Sequence, residues 1–288
     1  AFTPQDWALF WGIALIWGAS FLLIAIGLES LHPGVITLGR VASGAAALAF
    51  LPAARKRIEP EDRRRLLVLS LVWVAIPFTL FPIAEQYINS AVTGLLNGAV
   101  PIFAALVAAL FLREFPRGAH LLGLFTGFTG VVLISVPSIG EGSTAALGVF
   151  LVLGATVCYG FAVNIAAPIQ RRYGSVTVMS KMLILGAIWT LPYGLWGLTE
   201  STYEAGPVVA TLVLGVIGTG AAFAIMASLV GRVGSTRASF ITYLIPFVSL
   251  ALGVAFLGDE VEALAIFGVV LVVAGAALAS RRDRKSTR

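Results

Sequence analysis

Aromatic and polar side chains interrupt the long apolar stretches of this 288-residue chain at a few positions. Trp17 and Ser20 stand near the middle of the first stretch, and Phe78 and Phe81 are three apart in the third. Asn97 is in the fourth, and Tyr159 and Asn164 are in the sixth. Phe223 and Met226 repeat the Phe78/Phe81 spacing in the eighth, while Thr242 and Tyr243 fall in the ninth. Rings supply large apolar contact area, and Trp, Tyr and Asn carry polar atoms that need partners away from water. Taken singly, each is also an ordinary packing residue. Gathered around one axis, they would wall an apolar cavity with a few hydrogen-bonding groups, which suits a zwitterion or a neutral organic solute bearing a ring. The expected substrate-contacting set is therefore Trp17, Ser20, Phe78, Phe81, Asn97, Tyr159, Asn164, Phe223, Met226 and Tyr243.

Charge inside the apolar stretches is scarce. Arg40 and Lys181 are the two exceptions among 19 basic residues. An intramembrane cation costs a few kcal/mol on insertion scales and faces the protein interior or a cavity. Two readings stand side by side: carboxylate attraction at two charged mouths, Arg40 outer and Lys181 inner, or snorkelling of both to the interface. Glu85 is the one acidic residue within a span, near its outer end, and is expected as a rim carboxylate in water. With no central Asp or Glu, facilitated diffusion is expected rather than coupled antiport. Catalysis finds no footing. His32 and His120 lie away from the depth of Ser20, and there is no Asp pair, CxxC, His cluster or phosphate-binding glycine loop. No catalytic residue, metal or cofactor is assigned. Cys158, the only cysteine, reads as a small packing residue.

These residues need elements to hold them, and composition says which. Hydrophobic residues make up 59% and charged residues 11%, and the mean hydropathy is +0.97. Soluble domains carry about 25% charged residues. The chain is therefore read as an all-α membrane protein, since about 20 apolar residues in a helix cross the roughly 30 Å hydrocarbon core. Ten spans are expected: Trp7–Leu28, Pro33–Ala54, Leu66–Gln86, Ala91–Leu112, Arg117–Val136, Ala146–Ile169, Val176–Leu198, Pro207–Val230, Ala238–Leu257 and Val261–Ser280. The first reads as retained, not as a cleaved signal. Trp7, Trp11, Trp196 and Tyr203 sit at span ends as interfacial anchors. The other 17 cations fall in alternate loops and the tail, including Arg55–Arg65, Arg113, Arg117, Arg171, Arg172, Arg232, Arg237 and the residues from Arg281 onward. That alternation requires an even span count with both termini cytoplasmic. The basic excess, net +5, is an orientation signal and not a nucleic-acid surface.

The halves of the chain match. At an offset of 145, Phe78 meets Phe223, Ser90 meets Ser235, Pro101 meets Pro246, Gly123 meets Gly268 and Gly130 meets Gly275. Nearer the start of each half the offset is 142, and Gly12, Gly18 and Gly44 meet Gly154, Gly160 and Gly186. Five spans per repeat is odd, so residues 1–145 and 146–288 would enter the membrane from opposite sides. Inverted repeats of this kind occur in transporters that bind substrate at the repeat interface near the midplane. Pro77, Pro82, Pro101, Pro168, Pro192 and Pro246 interrupt spans. Pro101 and Pro246 are repeat-related and read as paired gating bends, while Gly94 and Gly98 read as a close helix approach.

Trp17-Gly18-Ala19-Ser20-Phe21, the run Pro101, Leu112, Glu114, Gly123 and Gly130, and its echo Pro246, Leu257, Glu260, Gly268 and Gly275 carry a resemblance to a known family. The chain resembles the EamA family of the drug/metabolite transporter superfamily over essentially its whole length, and is most similar to the YddG-type exporters of aromatic amino acids. The resemblance implies ten helices, efflux from the cytoplasm and no bound cofactor. The expectation is export of aromatic or bulky neutral amino acids and similar metabolites or drugs by alternating access, from a bacterial inner membrane, as a monomer or weak homodimer in the lipid bilayer. A sugar-phosphate or nucleotide-sugar exchanger and a non-transporting membrane scaffold are the alternatives.

Overall fold

A computed structural model describes residues 2–112, 117–140 and 142–279. Arg113, Glu114, the Glu141 loop position and the tail from Ser280 lie outside them. Among the described residues ten helical rods follow in chain order: α1 (Pro4–Leu28), α2 (Pro33–Ala49), α3 (Pro60–Ala84), α4 (Ser90–Phe111), α5 (Ala119–Gly140), α6 (Ser143–Tyr173), α7 (Ser175–Leu198), α8 (Ala205–Val233), α9 (Ser239–Leu257) and α10 (Ala263–Ala279). Eight are long and apolar enough to cross a membrane. The 17-residue α2 and α10 are shorter, yet each still reaches roughly 26 Å. The exterior is oily, with Phe50 82%, Phe125 74% and Phe256 71% exposed, as lipid-facing residues must be.

Local chemistry sets the boundaries. Thr3 and Asp6 form a capping box at the start of α1, His32 caps α2 ahead of Pro33, and Asn89 caps α4. Gly174 turns the chain from α6 into α7 at φ +88°, a left-handed conformation that few other residues adopt. The second span ends earlier than expected. Its helix stops at Ala49 and a short 3-10 turn covers Pro52–Arg55, because Pro52 has no N–H to continue the ladder. Pro168 and Pro192 do not interrupt anything: α6 and α7 run through them.

Among the described residues all but one of the breaks within the spans are paired, the exception being a π-helical turn at Gly253–Leu257 near the end of α9. In α3 a π-helical turn covers Ser70–Ala75, and in its repeat partner α8 another covers Val216–Ala221. In α4 the ladder lapses at Gly98 and Ala99, and in α9 a 3-10 turn ends at Tyr243 before Leu244. Those positions correspond at the offset of 145.

The two repeats also touch as inverted copies should. A Cβ on Gly123 would meet the Gly275 carbonyl oxygen at 2.6 Å, and one on Gly130 would meet that of Gly268 at 2.5 Å. Gly123 corresponds to Gly268 and Gly130 to Gly275. Exchanging the repeats therefore turns one contact into the other, which is the signature of a two-fold axis through the α5–α10 crossing. A second pair follows the same rule. Gly44 on α2 closes on Thr219 of α8, and its counterpart Gly186 on α7 closes on Val74 of α3, the counterpart of Thr219.

Candidate substrate cavity

Between the repeats lies a cavity of about 570 Å³. Trp17, Ser20 and Phe21 reach it from α1, Arg40 from α2, Trp73, Phe78 and Phe81 from α3, and Asn97, Val100 and Pro101 from α4. The second repeat adds Tyr159 and Val163 from α6, Met179 from α7, Phe223 and Met226 from α8, and Thr242, Tyr243 and Ile245 around α9. Nine of the ten expected contact residues are thus brought together. In the closed stretch Ala91–Ala99 of α4, Asn97 is the one position that is not buried.

The rings form a connected wall. Trp17 meets Phe223 edge to face at 5.6 Å, and Phe21 meets Phe81 at 5.6 Å in the same manner. Phe81 lies 6.0 Å from Tyr159. Proline accounts for polarity among them. Pro101 and Pro246 cannot donate to the carbonyls four residues earlier. Those carbonyls belong to Asn97 and Thr242, a repeat-related pair, and both residues line the cavity.

Arg40 is the charged element of the wall. It is 7% exposed, its Nε donates to Thr219 Oγ1 at 3.0 Å, and its guanidinium carbon lies 3.7 Å over the Phe78 ring. Thr219 Oγ1 in turn donates to the Leu214 carbonyl across the π-helical turn at 3.1 Å. This overturns the snorkelling of Arg40 and moves the cation of the other reading from an outer mouth to the cavity wall. Lys181 is half-buried on α7 and does not line the cavity, so no pair of charged mouths forms. Nor are the two cations counterparts. The offset of 142 carries Arg40 to Met182, fully buried, just as Thr219 corresponds to Val74. One repeat holds a cation where the other holds an apolar contact.

Two further expectations change. Asn164 does not line the cavity: its amide donates to the carbonyls of Ala104 at 3.0 Å and Gly160 at 2.8 Å, joining α6 to α4. Pro246, expected as a gating bend, stands at the break of α9 with its ring in the space beside Gly98. Glu85 is not a rim carboxylate in water. Both its oxygens are buried without a hydrogen-bond donor among the described residues, within electrostatic reach of Arg40 and Asp259.

The cavity opens on one side only. Gln170, Ser175, Val230 and Ser235 line it at the loops that carry Arg171, Arg172, Arg232 and Arg237. At the opposite end the repeats are tied together. Asp259 accepts from Ser90 Oγ at 2.7 Å and from the Ala91 N–H at 2.9 Å, and Asn89 donates to the Glu260 carbonyl at 2.9 Å. His32 N–H donates to Ser201 Oγ and Thr202 N–H to the Ser30 carbonyl, each at 2.9 Å. Among the described residues no group of three or more His, Cys, Asp or Glu side chains is placed to hold a metal ion.

A ring-walled cavity between inverted five-helix repeats is the architecture of a solute carrier, and sequence comparison specifies which kind. Residues 7–136 and 146–281 each match the EamA-like transporter family. The chain belongs to that family. It is 26% identical to an uncharacterised transporter of Archaeoglobus fulgidus, covering 96% of this chain and 99% of that protein. It is 27% identical to a probable terminal-alkyne amino-acid exporter of Streptantibioticus cattleyicolor, over 96% and 93% of the two chains. The uncharacterised inner membrane transporter YedA of Escherichia coli is also 27% identical, over 94% and 91%. A solved crystal structure shares the fold at a TM-score of 0.66 and 20% identity, with 97% of each chain covered. The protein is thus an EamA-family membrane transporter with a small-molecule substrate.

Sequence reasoning missed Phe21, Trp73, Val163 and Met179. The signal for two of them was helical period: Phe21 extends the Trp17–Ser20 face by one residue, and Val163 is one turn beyond Tyr159. Trp73 gave no such signal, because the π-helical turn that contains it shifts the register of α3.

Proposed function

We propose that this EamA-family protein exports aromatic and bulky neutral amino acids, with similar small metabolites or drugs, by alternating access. The observation that carries this reading is the ring-walled cavity, closed at one end and open at the end that bears the basic loops. Cations gather on cytoplasmic loops, so the open end is the cytoplasmic one and both termini lie on that side. The relative named a probable terminal-alkyne amino-acid exporter supports the substrate class, and YedA supports a bacterial inner membrane. Fully burying a ring contributes roughly 1.5–3 kcal/mol, or about 10- to 100-fold in affinity. A single cation on the described wall favours an amino acid over a sugar phosphate or nucleotide sugar. No carboxylate lines the described cavity, so movement follows the substrate gradient. The site is complete within one chain, which suits a monomer or weak homodimer, and a scaffold would need no such cavity.

The test is uptake of a panel of radiolabelled solutes into proteoliposomes. Phenylalanine and tryptophan are expected to be carried, and glycine, aspartate and sugar phosphates poorly. Trp17→Ala and Tyr159→Ala should each weaken apparent affinity for the aromatic solutes by about tenfold at normal membrane expression. Parent-like transport of both aromatic solutes by both variants would remove this assignment.

A further inference from the structure

Resting on that reading, we infer that Arg40 is the carboxylate anchor of the cavity, and that the site recognises the carboxylate of its substrate by charge and the amine only by neutral acceptors. The accepted class is then broader than amino acids. It is ring-bearing monocarboxylates, with the amino group optional.

Three observations converge on this. Arg40 is buried in the cavity wall and fixed there from two sides, by Thr219 at its Nε and by the Phe78 ring beneath it. Among the described residues no acceptor engages its two terminal amino groups, so the parallel donors that suit a carboxylate remain available. The inventory of the wall is also lopsided. No described Asp or Glu lines it, and the acceptors it offers are neutral: Asn97, whose Oδ1 is buried without a partner, the Ser20 hydroxyl and the Tyr159 hydroxyl. Glu85, within electrostatic reach of Arg40, is buried with no hydrogen-bond donor among the described residues and does not engage the guanidinium directly. A carboxylate entering the cavity meets a cation already desolvated and oriented. An ammonium meets no counter-ion.

Purified protein titrated with 3-phenylpropionate, phenethylamine and hexanoate tests the anchor directly, with intrinsic tryptophan fluorescence as the readout. In the parent, 3-phenylpropionate should bind at least about tenfold tighter than phenethylamine, the scale of a charge-assisted pair. Arg40→Gln should bring that ratio close to one. Thr219→Val, which keeps the charge and removes its tether, should lower the ratio several-fold while the protein still elutes as one species. The ratio is the decisive quantity, because a merely structural loss would weaken both ligands alike. Equal binding of the two in the parent, a ratio preserved in Arg40→Gln, or binding of neither ligand would overturn the anchor. Hexanoate binding as tight as 3-phenylpropionate would support the anchor while removing the ring preference of the proposed function. Phenethylamine binding alone would do the reverse.

Discussion

Asn164 and Val163 show how finely a cavity face is set. Tyr159, Val163, Ala167 and Gln170 fall at successive turns of α6, and all four line the cavity. Asn164 is one residue off that stripe, about 100° around the helix, and its polarity serves a different purpose. Its amide satisfies the Ala104 and Gly160 carbonyls, so Asn164→Ala should leave the former without its side-chain donor. The expected cost is about 1–3 kcal/mol of stability, read as a lower unfolding temperature in detergent, with the preference for phenylalanine over glycine unchanged. A changed preference at parent stability would return Asn164 to the cavity. Polar residues at mid-depth are visible in sequence, but whether they face a helix neighbour or a solute is a matter of one helical step. Arg40 was visible for the same reason, as a charge among apolar residues. Its fate was not, because the partner that holds it, Thr219, is 179 positions away.

Among the helices, glycine and proline carried most of the readable information. Pro101 and Pro246 mark the breaks of α4 and α9, and the glycine matches at 145 mark the α5–α10 crossing. The π-helical turns of α3 and α8 were invisible, since no residue type demands an i+5 ladder. The crossing tolerates no side chain. A Cβ at Gly130 would lie 2.5 Å from the Gly268 oxygen and 2.7 Å from the Val272 nitrogen. Backbone atoms cannot move aside as a flexible side chain does, so Gly130→Val is expected to abolish monodisperse protein in detergent. Its counterpart Gly275→Val should do the same. Gly12→Ala on α1, where a Cβ meets nothing within 4 Å, should purify like the parent. Size-exclusion chromatography of the three variants separates these outcomes, and parent-like elution of Gly130→Val would refute the close crossing.

For the molecule as a whole, contacts between the repeats tie both ends, Arg172 to Asp62 and Arg232 to Asp6 on the basic-loop side and Asp259 on the other, and the cavity reaches only the basic-loop side. Asp259 holds the start of α4 through Ser90 Oγ and the Ala91 N–H, so it joins the second repeat to the first. Asp259→Asn exchanges a charged acceptor for a neutral one and should loosen that closure. In a Cys158→Ala background, Ser20→Cys places a thiol on the cavity wall. A membrane-impermeant thiol reagent should label it readily from the basic-loop side and slowly from the other side. Adding Asp259→Asn should raise the slow rate several-fold. Equal labelling from both sides without that substitution would contradict the one-sided opening.

The reciprocal glycine contacts bear on how many sequences the fold needs. An interface that maps onto itself when its two halves are exchanged needs only one sequence. Two separate five-helix chains, inserted in opposite orientations, would make the Gly123–Gly275 and Gly130–Gly268 contacts just as this single chain does. In such a homodimer every residue is present twice, and a cation at one position must also occupy its twin. Arg40 has no twin: the matching place is Met182, and Val74 matches its tether Thr219. The fold itself asks for one sequence, whereas a single-sided charge in the wall requires two copies of it, here joined in one chain, in which the two versions of each site are free to diverge.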